Sequence, residues 1–217
     1  MKKNLCLWIT SLFLMLLCAG GSRADDALTA PQQILFDTSE RLKNALQDKT
    51  LKDDFPLLVD HVIDVVEAHV DFNRVSALVL GKYWRTADAG QKKRFQAEFK
   101  NLLVRTYVTA LKEFTESDNP DWSLRFSPMK LPQDARKATV KTKINRSKDK
   151  PISVDYRMVN NQGEWKVYDI VIEGISLVTT YRSSFISDIE KTGSLDKLIE
   201  QIGERNTERR QSPAKES

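Results

Sequence analysis

The chain has 217 residues, 41% of them hydrophobic, and a formal charge of only +4 at neutral pH. This length is compatible with one domain and a sizeable apolar core. The small positive charge gives little support for nucleic-acid binding, which usually needs a clustered basic face.

The first 24 residues have the pattern of a secretory signal peptide. Two lysines precede an apolar run from Leu5 to Leu17, and Ser22-Arg23-Ala24 offers small residues where a signal peptidase cleaves. The run is shorter than the roughly 18 to 20 residues that span a bilayer. We therefore expect residues 1–24 to be removed on export, which leaves one domain over 25–203 and a polar tail over 204–217.

Removal of this segment would also remove both cysteines, Cys6 and Cys18. Disulfide bonds and thiolate chemistry would then be absent, and the mature chain would fold by packing alone. Its charge would be close to +1, with 31 basic and 30 acidic residues, because Lys2, Lys3 and Arg23 are lost as well.

The first half of the mature chain has helical periodicity. We predict a helix over residues 30–47, a second one capped by Asp53 or Asp54, and a third over about 73–80 that ends at Gly81. A long helix follows, with Asp88 as N-cap and Gln91 as its reciprocal partner. Its apolar side chains recur at Phe95, Phe99, Leu102, Leu103, Tyr107, Ala110, Leu111 and Phe114.

From Trp122 onward the apolar period changes from helical to two. We predict four strands, at about 123–129, 137–145, 152–159 and 164–172. A turn over residues 160–163 joins the last two as an antiparallel hairpin. A helix is expected from just after Gly174 to about Lys191, followed by a last helix that Ser194 caps.

The order of these elements predicts an α+β fold. Helices would pack on one face of a curved, antiparallel, four-stranded sheet and enclose a cone-like apolar pocket. The last strand is unusual because apolar side chains occupy both of its faces from Tyr168 to Ile172, interrupted only by Asp169. Something apolar must therefore cover each face.

Motifs for catalysis or metal binding are scarce. His61 and His69 are the only histidines, and on one helix they would lie about 12 Å apart along the axis, too far to share an ion. There is no Gly-x-Ser-x-Gly elbow and no glycine-rich phosphate loop. Asp169 is the residue that an enzyme could use as a general base. We favour a structural role, in which it bonds the backbone or caps the helix near Ile175.

The densest positive run extends over the second predicted strand and the loop after it. A solvated sheet face is the favoured interpretation, and contact with acidic headgroups or an acidic partner is the alternative. On the alternative, the region 141–150 would be a docking surface. The basic residues are Lys137, Lys141, Lys143, Arg146, Lys148 and Lys150.

Four blocks of the chain resemble the MlaC family, the periplasmic phospholipid-binding proteins also known as toluene-tolerance auxiliary proteins. The first is Ala77-Leu78-Val79-Leu80-Gly81-Lys82-Tyr83-Trp84, and the second is the long helix with Gln91, Phe95, Phe99, Leu102 and Tyr107. The third combines Trp165-Lys166-Val167-Tyr168-Asp169-Ile170 with Glu173-Gly174-Ile175-Ser176-Leu177, and the fourth is Gly193-Ser194-Leu195-Asp196-Lys197-Leu198.

The resemblance implies a mixed α/β fold with a deep apolar pocket for phospholipid acyl chains and a headgroup near solvent. It further implies a periplasmic shuttle that has no chemistry and no cofactor of its own and that maintains outer-membrane lipid asymmetry. Its partners would be an outer-membrane lipoprotein complex and an inner-membrane ABC transporter with a lipid-transfer subunit.

Residue type and position suggest which side chains would line such a pocket. The predicted lining consists of Leu78, Tyr83, Trp84, Phe99, Leu103, Tyr107, Val154, Tyr156, Val171, Ile175 and Leu177.

Two other functions are alternatives to a lipid carrier. One is a small cone-shaped α+β enzyme on an apolar substrate, with Asp169 as base. The other is a protein-binding module with a solid core.

Overall fold

The computed structural model describes residues 27–116, 122–146 and 150–211. Within these ranges six helices come first, an antiparallel sheet follows, and two helices complete the domain. The predicted α+β class is therefore confirmed. The predicted signal peptide over 1–24, Lys148 and the end of the predicted tail lie outside the described residues.

Three helices open the fold, and aspartates cap two of them. They are α1 (Ala30–Gln47), α2 (Lys49–Asp53) and α3 (Phe55–Glu67). The carboxylate of Asp54 accepts a hydrogen bond from the backbone N–H of Leu57 at 3.0 Å, and so satisfies a donor that has no partner within α3. The predicted extent of the first helix and the predicted cap at Asp54 are both confirmed.

Helix α4 (Phe72–Leu80) ends at Gly81, whose φ of 55° reverses the chain into α5 (Lys82–Thr86). Helix α6 (Ala89–Glu116) follows with the predicted capping box. The N–H of Gln91 donates to the Asp88 carboxylate at 2.8 Å, and the N–H of Asp88 donates to the Gln91 side chain at 3.1 Å. This reciprocal pair defines where the long helix begins.

The sheet is a meander in which each strand pairs antiparallel with the next. Its strands are β1 (Trp122–Phe126), β2 (Lys137–Arg146), β3 (Ile152–Asn161), β4 (Glu164–Ile172) and β5 (Ile175–Ser176). The predicted hairpin is confirmed, because β3 and β4 pair across a turn in which the Gly163 N–H donates to the Asn160 side chain at 2.8 Å. On β2, Lys137, Lys141 and Lys143 are exposed, as a solvated outer face requires.

The prediction of four strands was wrong, since the sheet in the described ranges has five. Glu173 and Gly174 both have positive φ, 48° and 82°, which makes a two-residue reversal directly after β4. Ile175 and Ser176 then pair with Ile172 and Val171. The helix expected after Gly174 accordingly begins only at Leu177.

A bulge in β4 explains why apolar side chains occupy both of its faces. The register with β3 shifts between Arg157 and Met158, which leaves Tyr168 without a residue directly opposite. Val167 and Ile170 both face inward although they are three residues apart. Tyr168, between them, borders the same interior and also packs against buried residues of the helices. Consecutive residues of β4 thus have apolar surroundings.

The last two helices are α7 (Leu177–Thr192) and α8 (Leu195–Gln211). Gly193 separates them with a left-handed φ of 71°. Helix α8 continues across the predicted boundary at residue 203. Asn206, only 5% exposed, donates from its side chain to the Glu98 carbonyl at 3.0 Å, which fastens α8 to α6.

The buried side chains form three clusters. One joins α1, α3 and α6, and another joins α1 to the inner face of the sheet. The third, which we call the helical core, joins α4, α6, α7 and α8. Its members are Val75, Val79, Leu80, Phe95, Phe99, Leu102, Phe185, Ile189, Leu198, Ile199 and Ile202.

Candidate functional site

A cavity of about 350 Å³ lies between the inner face of the sheet and helices α1, α3, α4, α6 and α7. This volume is within the roughly 300 to 1,000 Å³ that is typical of small-molecule sites. The wall consists of Leu35, Thr38, Ser39, Leu42, Val62, Val66, His69, Val70, Phe72, Val75, Phe99, Leu103, Val104, Tyr107, Val108, Ile144, Val154, Tyr156, Val167, Tyr168, Asp169, Ile170, Ile172, Leu177, Val178 and Tyr181.

The wall is almost entirely apolar. Of its 26 residues, the only polar ones apart from the tyrosines are Thr38, Ser39, His69 and Asp169. The aliphatic members are mostly valine and isoleucine. Such a surface offers dispersion contacts and dehydration, and few hydrogen bonds, so it suits hydrocarbon better than a polar metabolite.

The sheet contributes alternate residues, because side chains one apart point to opposite faces. Val154 lies opposite Ile172, and Tyr156 lies opposite Ile170, so these four share the face that borders the cavity. Ile144 extends this face on β2.

The helices contribute residues at helical spacing. Phe99, Leu103 and Tyr107 are four apart on α6 and form one stripe along the cavity. The stripe begins inside the helical core, where Phe99 is only 1% exposed, and continues into the cavity wall. Helix α7 adds Leu177 and Tyr181 opposite this stripe.

Six of the eleven predicted lining residues are on the cavity wall. All of them lie on elements whose apolar face the sequence pattern identified. They are Phe99, Leu103, Tyr107, Val154, Tyr156 and Leu177. Their contact with a lipid stays a prediction.

The other five predicted residues do not border the cavity. Tyr83 and Trp84 pack against the helical core, and Leu78 lies partly exposed on the far side of α4. Val171 lies opposite Asp155, on the face of the sheet away from the cavity. Ile175, in the short strand β5, is 63% exposed.

Six of the twenty wall residues that the prediction missed come from α1 and α3. Leu35 and Leu42 on α1, and Val62 and Val66 on α3, recur at helical spacing in the sequence. Periodicity identifies such a face, but it does not distinguish a face that packs against core from one that borders a cavity.

Two tyrosines form a hydrogen-bonded pair on the cavity wall between α6 and α7. Burial, together with the neighbouring Tyr181 hydroxyl, raises the pKa of Tyr107 far above its ordinary value. Burial also raises the pKa of Tyr156 to about 12. The phenols of Tyr107 and Tyr156 are therefore neutral at physiological pH, and their hydroxyls add weakly polar groups to the wall.

Asp169 is held by three donors. Its carboxylate accepts hydrogen bonds from the Arg157 guanidinium at 2.9 Å, the Ser176 hydroxyl at 2.8 Å and the Val178 N–H at 3.1 Å. Ser176 in turn caps α7 by accepting from the N–H of Thr179. The prediction that Asp169 is a local brace is therefore confirmed, because it connects β4 to the start of α7.

His69 is the other ionisable side chain on the wall. Burial, and then the positive charges of Arg41 and Lys166, lower the pKa of its imidazole, while Asp37 opposes them. Among the described residues, no group of three or more potential metal ligands could hold an ion. Within the same ranges, no helix is long and apolar enough to cross a bilayer.

Known proteins resemble the chain along most of its length. A toluene tolerance protein of Pseudomonas putida is 31% identical over 133 residues, which are 60% of this chain and 59% of that protein, less than two thirds of its length. The intermembrane phospholipid transport system binding protein MlaC of Haemophilus influenzae is 25% identical over 88% of this chain and 89% of its own.

A solved structure shares the fold. It is the phospholipid-binding protein of Ralstonia solanacearum in complex with a phospholipid, with a TM-score of 0.73 and 27% identity over 83% of this chain and 98% of that one. The sequence model of the MlaC protein family matches residues 37–204, a range that includes nearly all of the cavity wall. The chain belongs to the MlaC family.

Proposed function

We propose that this protein is a periplasmic carrier that binds phospholipid and transports it between membranes. The observation that carries this proposal is the apolar cavity itself. Each methylene that leaves a bilayer for water costs about 0.8 kcal/mol, so a two-chain lipid crosses water very slowly unless a carrier shields its chains. The valine- and isoleucine-rich wall offers the acyl chains a surface comparable to the membrane interior.

The relatives support the same reading. One is a component of a phospholipid transport system, and another binds a phospholipid within the same fold. The predicted signal peptide is consistent with a periplasmic location.

The partners follow from this role. We infer that the carrier collects or delivers lipid at an outer-membrane lipoprotein complex and at an inner-membrane ABC transporter with a lipid-transfer subunit, and so maintains outer-membrane lipid asymmetry. A passive binder only equilibrates lipid between donors and acceptors. The direction of net transport must therefore come from an energy-consuming partner.

Asp169 gives no support to the alternative of an enzyme. All three of its donors are structural, and one of them is a backbone N–H at the start of α7. A general base needs a free lone pair directed at the substrate. We therefore infer that the protein binds its cargo without transforming it.

Mass spectrometry of lipid extracted from the purified protein tests the proposal. We expect phospholipid at up to one molecule per chain, and much less in a Leu103→Trp variant, in which an indole would occupy part of the cavity. A wild-type preparation that contains no phospholipid and also takes none up from phosphatidylethanolamine vesicles would refute the proposed function.

A further inference from the structure

Most polar groups on the cavity wall already have partners within the protein. Thr38 and Ser39 donate to backbone carbonyls of the preceding turn of α1, at 2.7 and 2.8 Å. The carboxylate of Asp169 accepts hydrogen bonds from three donors. The hydroxyls of Tyr107 and Tyr181 are bonded to each other. These groups therefore gain little from a ligand.

The hydroxyl of Tyr156 is different. Its side chain stands on the inner face of β3 and borders the cavity. Among the described residues, no group donates a hydrogen bond to this hydroxyl or accepts one from it. Its neighbours on the same face of the sheet are apolar; they are Val140 opposite it on β2, Ile170 opposite it on β4, and Val154 and Met158 along β3. The sheet therefore offers this hydroxyl no partner.

The Tyr156 phenol is also removed from bulk water. Burial alone raises its pKa to about 12. A water molecule held inside a protein needs roughly two to four polar partners, and the side chains around Tyr156 on the sheet are hydrocarbon or, at Met158, a thioether. Taking a hydroxyl out of water without a new hydrogen bond is unfavourable. The phenol is therefore a donor that a ligand in the cavity can satisfy.

Two other wall residues, His69 and Tyr168, also have side chains without a hydrogen bond within the described ranges. Both have charged neighbours. The guanidinium of Arg74, whose side chain is 41% exposed, lies 6.0 Å from the ring centroid of Tyr168. Charged side chains of α1 and β4 act on the imidazole of His69. Because charged groups keep their hydration, water is available to these two residues.

We propose that the Tyr156 hydroxyl donates a hydrogen bond to an ester carbonyl of the bound phospholipid. The carrier consequently prefers lipids with ester-linked acyl chains to lipids with ether-linked alkyl chains. This inference rests on the proposed function. The ester carbonyls are the acceptors closest to the acyl chains, so chains that occupy the cavity bring them to its wall. An ether link has no carbonyl, and an ether lipid would leave the phenol without a strong acceptor.

A neutral carbonyl fits this position better than the phosphate of the headgroup. A charged phosphate in apolar surroundings needs a compensating cation. The side chains around Tyr156 on the sheet carry no charge. Asp169, the carboxylate among the described wall residues, would repel an anion. The acceptor at Tyr156 is therefore the uncharged ester, and the phosphate lies outside the apolar part of the cavity.

A competition between two lipids tests the inference. Vesicles of equimolar dioleoyl phosphatidylglycerol and its dioleyl ether analogue offer the same headgroup and chain length, with and without the carbonyls. Mass spectrometry measures the ratio of ester to ether lipid that the repurified protein has taken up. The wild type should favour the ester lipid. In Tyr156→Phe, which keeps the ring and removes one oxygen, the ratio should fall about fivefold, the effect of one neutral hydrogen bond.

The matched control is Tyr83→Phe. It removes a phenol hydroxyl from a ring that packs against the helical core and does not border the cavity. This variant should take up the two lipids in the wild-type ratio. Thermal unfolding checks that both variants are folded.

Three outcomes would overturn the inference. They are an unchanged ratio in Tyr156→Phe, the same fall in Tyr83→Phe, and a wild type that takes up the two lipids in the ratio of the vesicles. Each leaves the proposed function intact, because the wild type still takes up phospholipid. A wild type that takes up neither lipid would refute the proposed function and the inference with it.

Infrared spectroscopy of the lipid complex gives a second readout, which a merely structural role of Tyr156 would not change. A carbonyl that accepts a hydrogen bond absorbs at lower frequency, and isotope labelling of the ester carbonyls separates their bands from those of the protein. The wild-type complex should show a low-frequency ester component that is absent from Tyr156→Phe. Identical ester bands in the two complexes would mean that the phenol does not bond to the ester, and would overturn the inference.

Discussion

The two halves of α6 lie in regions that are both apolar but that pack differently. Side chains fill the space around the first half, whereas a cavity lies beside the second. The N-terminal half enters the helical core, where Phe95, Phe99 and Phe185 are fully buried and their ring centroids are 5.4 to 5.8 Å apart. The C-terminal half presents Leu103 and Tyr107 to the cavity. One helix thus borders a filled core at its N-terminal end and a cavity at its C-terminal end.

The contact between opposing side chains differs in the two regions. In the helical core, large aromatic rings from α6 and α7 meet across the space between helices. Around the cavity the opposing side chains leave about 350 Å³ unfilled. Apolar composition is therefore insufficient to distinguish core from binding site. What matters is whether opposing side chains meet.

The largest expected effect is on stability, in the helical core. Phe95→Ala should lower the free energy of unfolding by about 3 to 5 kcal/mol, because it removes a fully buried ring and leaves a void. Leu103→Ala, on the cavity wall, should cost only about 1 kcal/mol, since the truncated side chain borders existing space. Urea denaturation measures both. Equal costs would contradict the distinction between solid and hollow regions.

Asp169 lies where the two regions meet. Asp169→Asn should lower the free energy of unfolding by about 1 to 3 kcal/mol, because it removes the charge that the hydrogen bonds from Arg157, Ser176 and Val178 stabilise. The control Asp155→Asn, on the outer face of the sheet, should stay within about 0.5 kcal/mol of the wild type. A stable Asp169→Asn protein that had lost a measurable turnover would instead revive the enzyme hypothesis.

Added bulk should have opposite consequences in the two regions. Leu103→Trp should reduce phospholipid binding at least about tenfold, equivalent to about 1.4 kcal/mol, with little loss of stability. Leu198→Trp in the helical core should instead destabilise the fold by about 1 to 3 kcal/mol through overpacking. Lipid uptake from vesicles and urea denaturation separate the two effects. If Leu103→Trp unfolded the protein, the indole would have met packed side chains, which would contradict an open cavity beside Leu103.

The smallest effect appears at high pH. The Tyr156 pKa of about 12 is above the ordinary value near 10, so the folded state favours the neutral phenol. That contribution is complete below pH 10 and is lost as the pH rises through about 12. Between pH 8 and pH 11 the wild type should lose about 1 kcal/mol more stability than Tyr156→Phe. Urea denaturation at both pH values measures these losses. Equal losses for the wild type and Tyr156→Phe would mean that Tyr156 is in contact with water.

Much of the fold could be predicted from local pattern. Helical periodicity and the Asp88–Gln91 capping box located α1, α3 and α6, because caps and apolar stripes depend on neighbours within one turn. Alternation located β2, β3 and β4. The short strand β5 was missed, because two residues are too few for a period and helix-compatible residues follow directly.

The site was predictable only in part. Phe99, Leu103, Tyr107, Val154, Tyr156 and Leu177 were placed on the cavity wall because their elements present an apolar face. Tyr83, Trp84 and Leu78 were assigned to it by residue type, yet they lie at or beyond the helical core. Val171 was predicted to line the pocket, but it faces away from the cavity, because the bulge at Tyr168 shifts the alternation along β4.

The sequence by itself determined the α+β order of elements, the apolar faces, the brace at Asp169 and the resemblance to the MlaC family. The tertiary structure alone decided that some of these faces enclose space while others pack against core. The physical reason is that periodicity records which side of an element avoids water. The distance between two such sides depends on how sheet and helices pack, and no single segment contains that information.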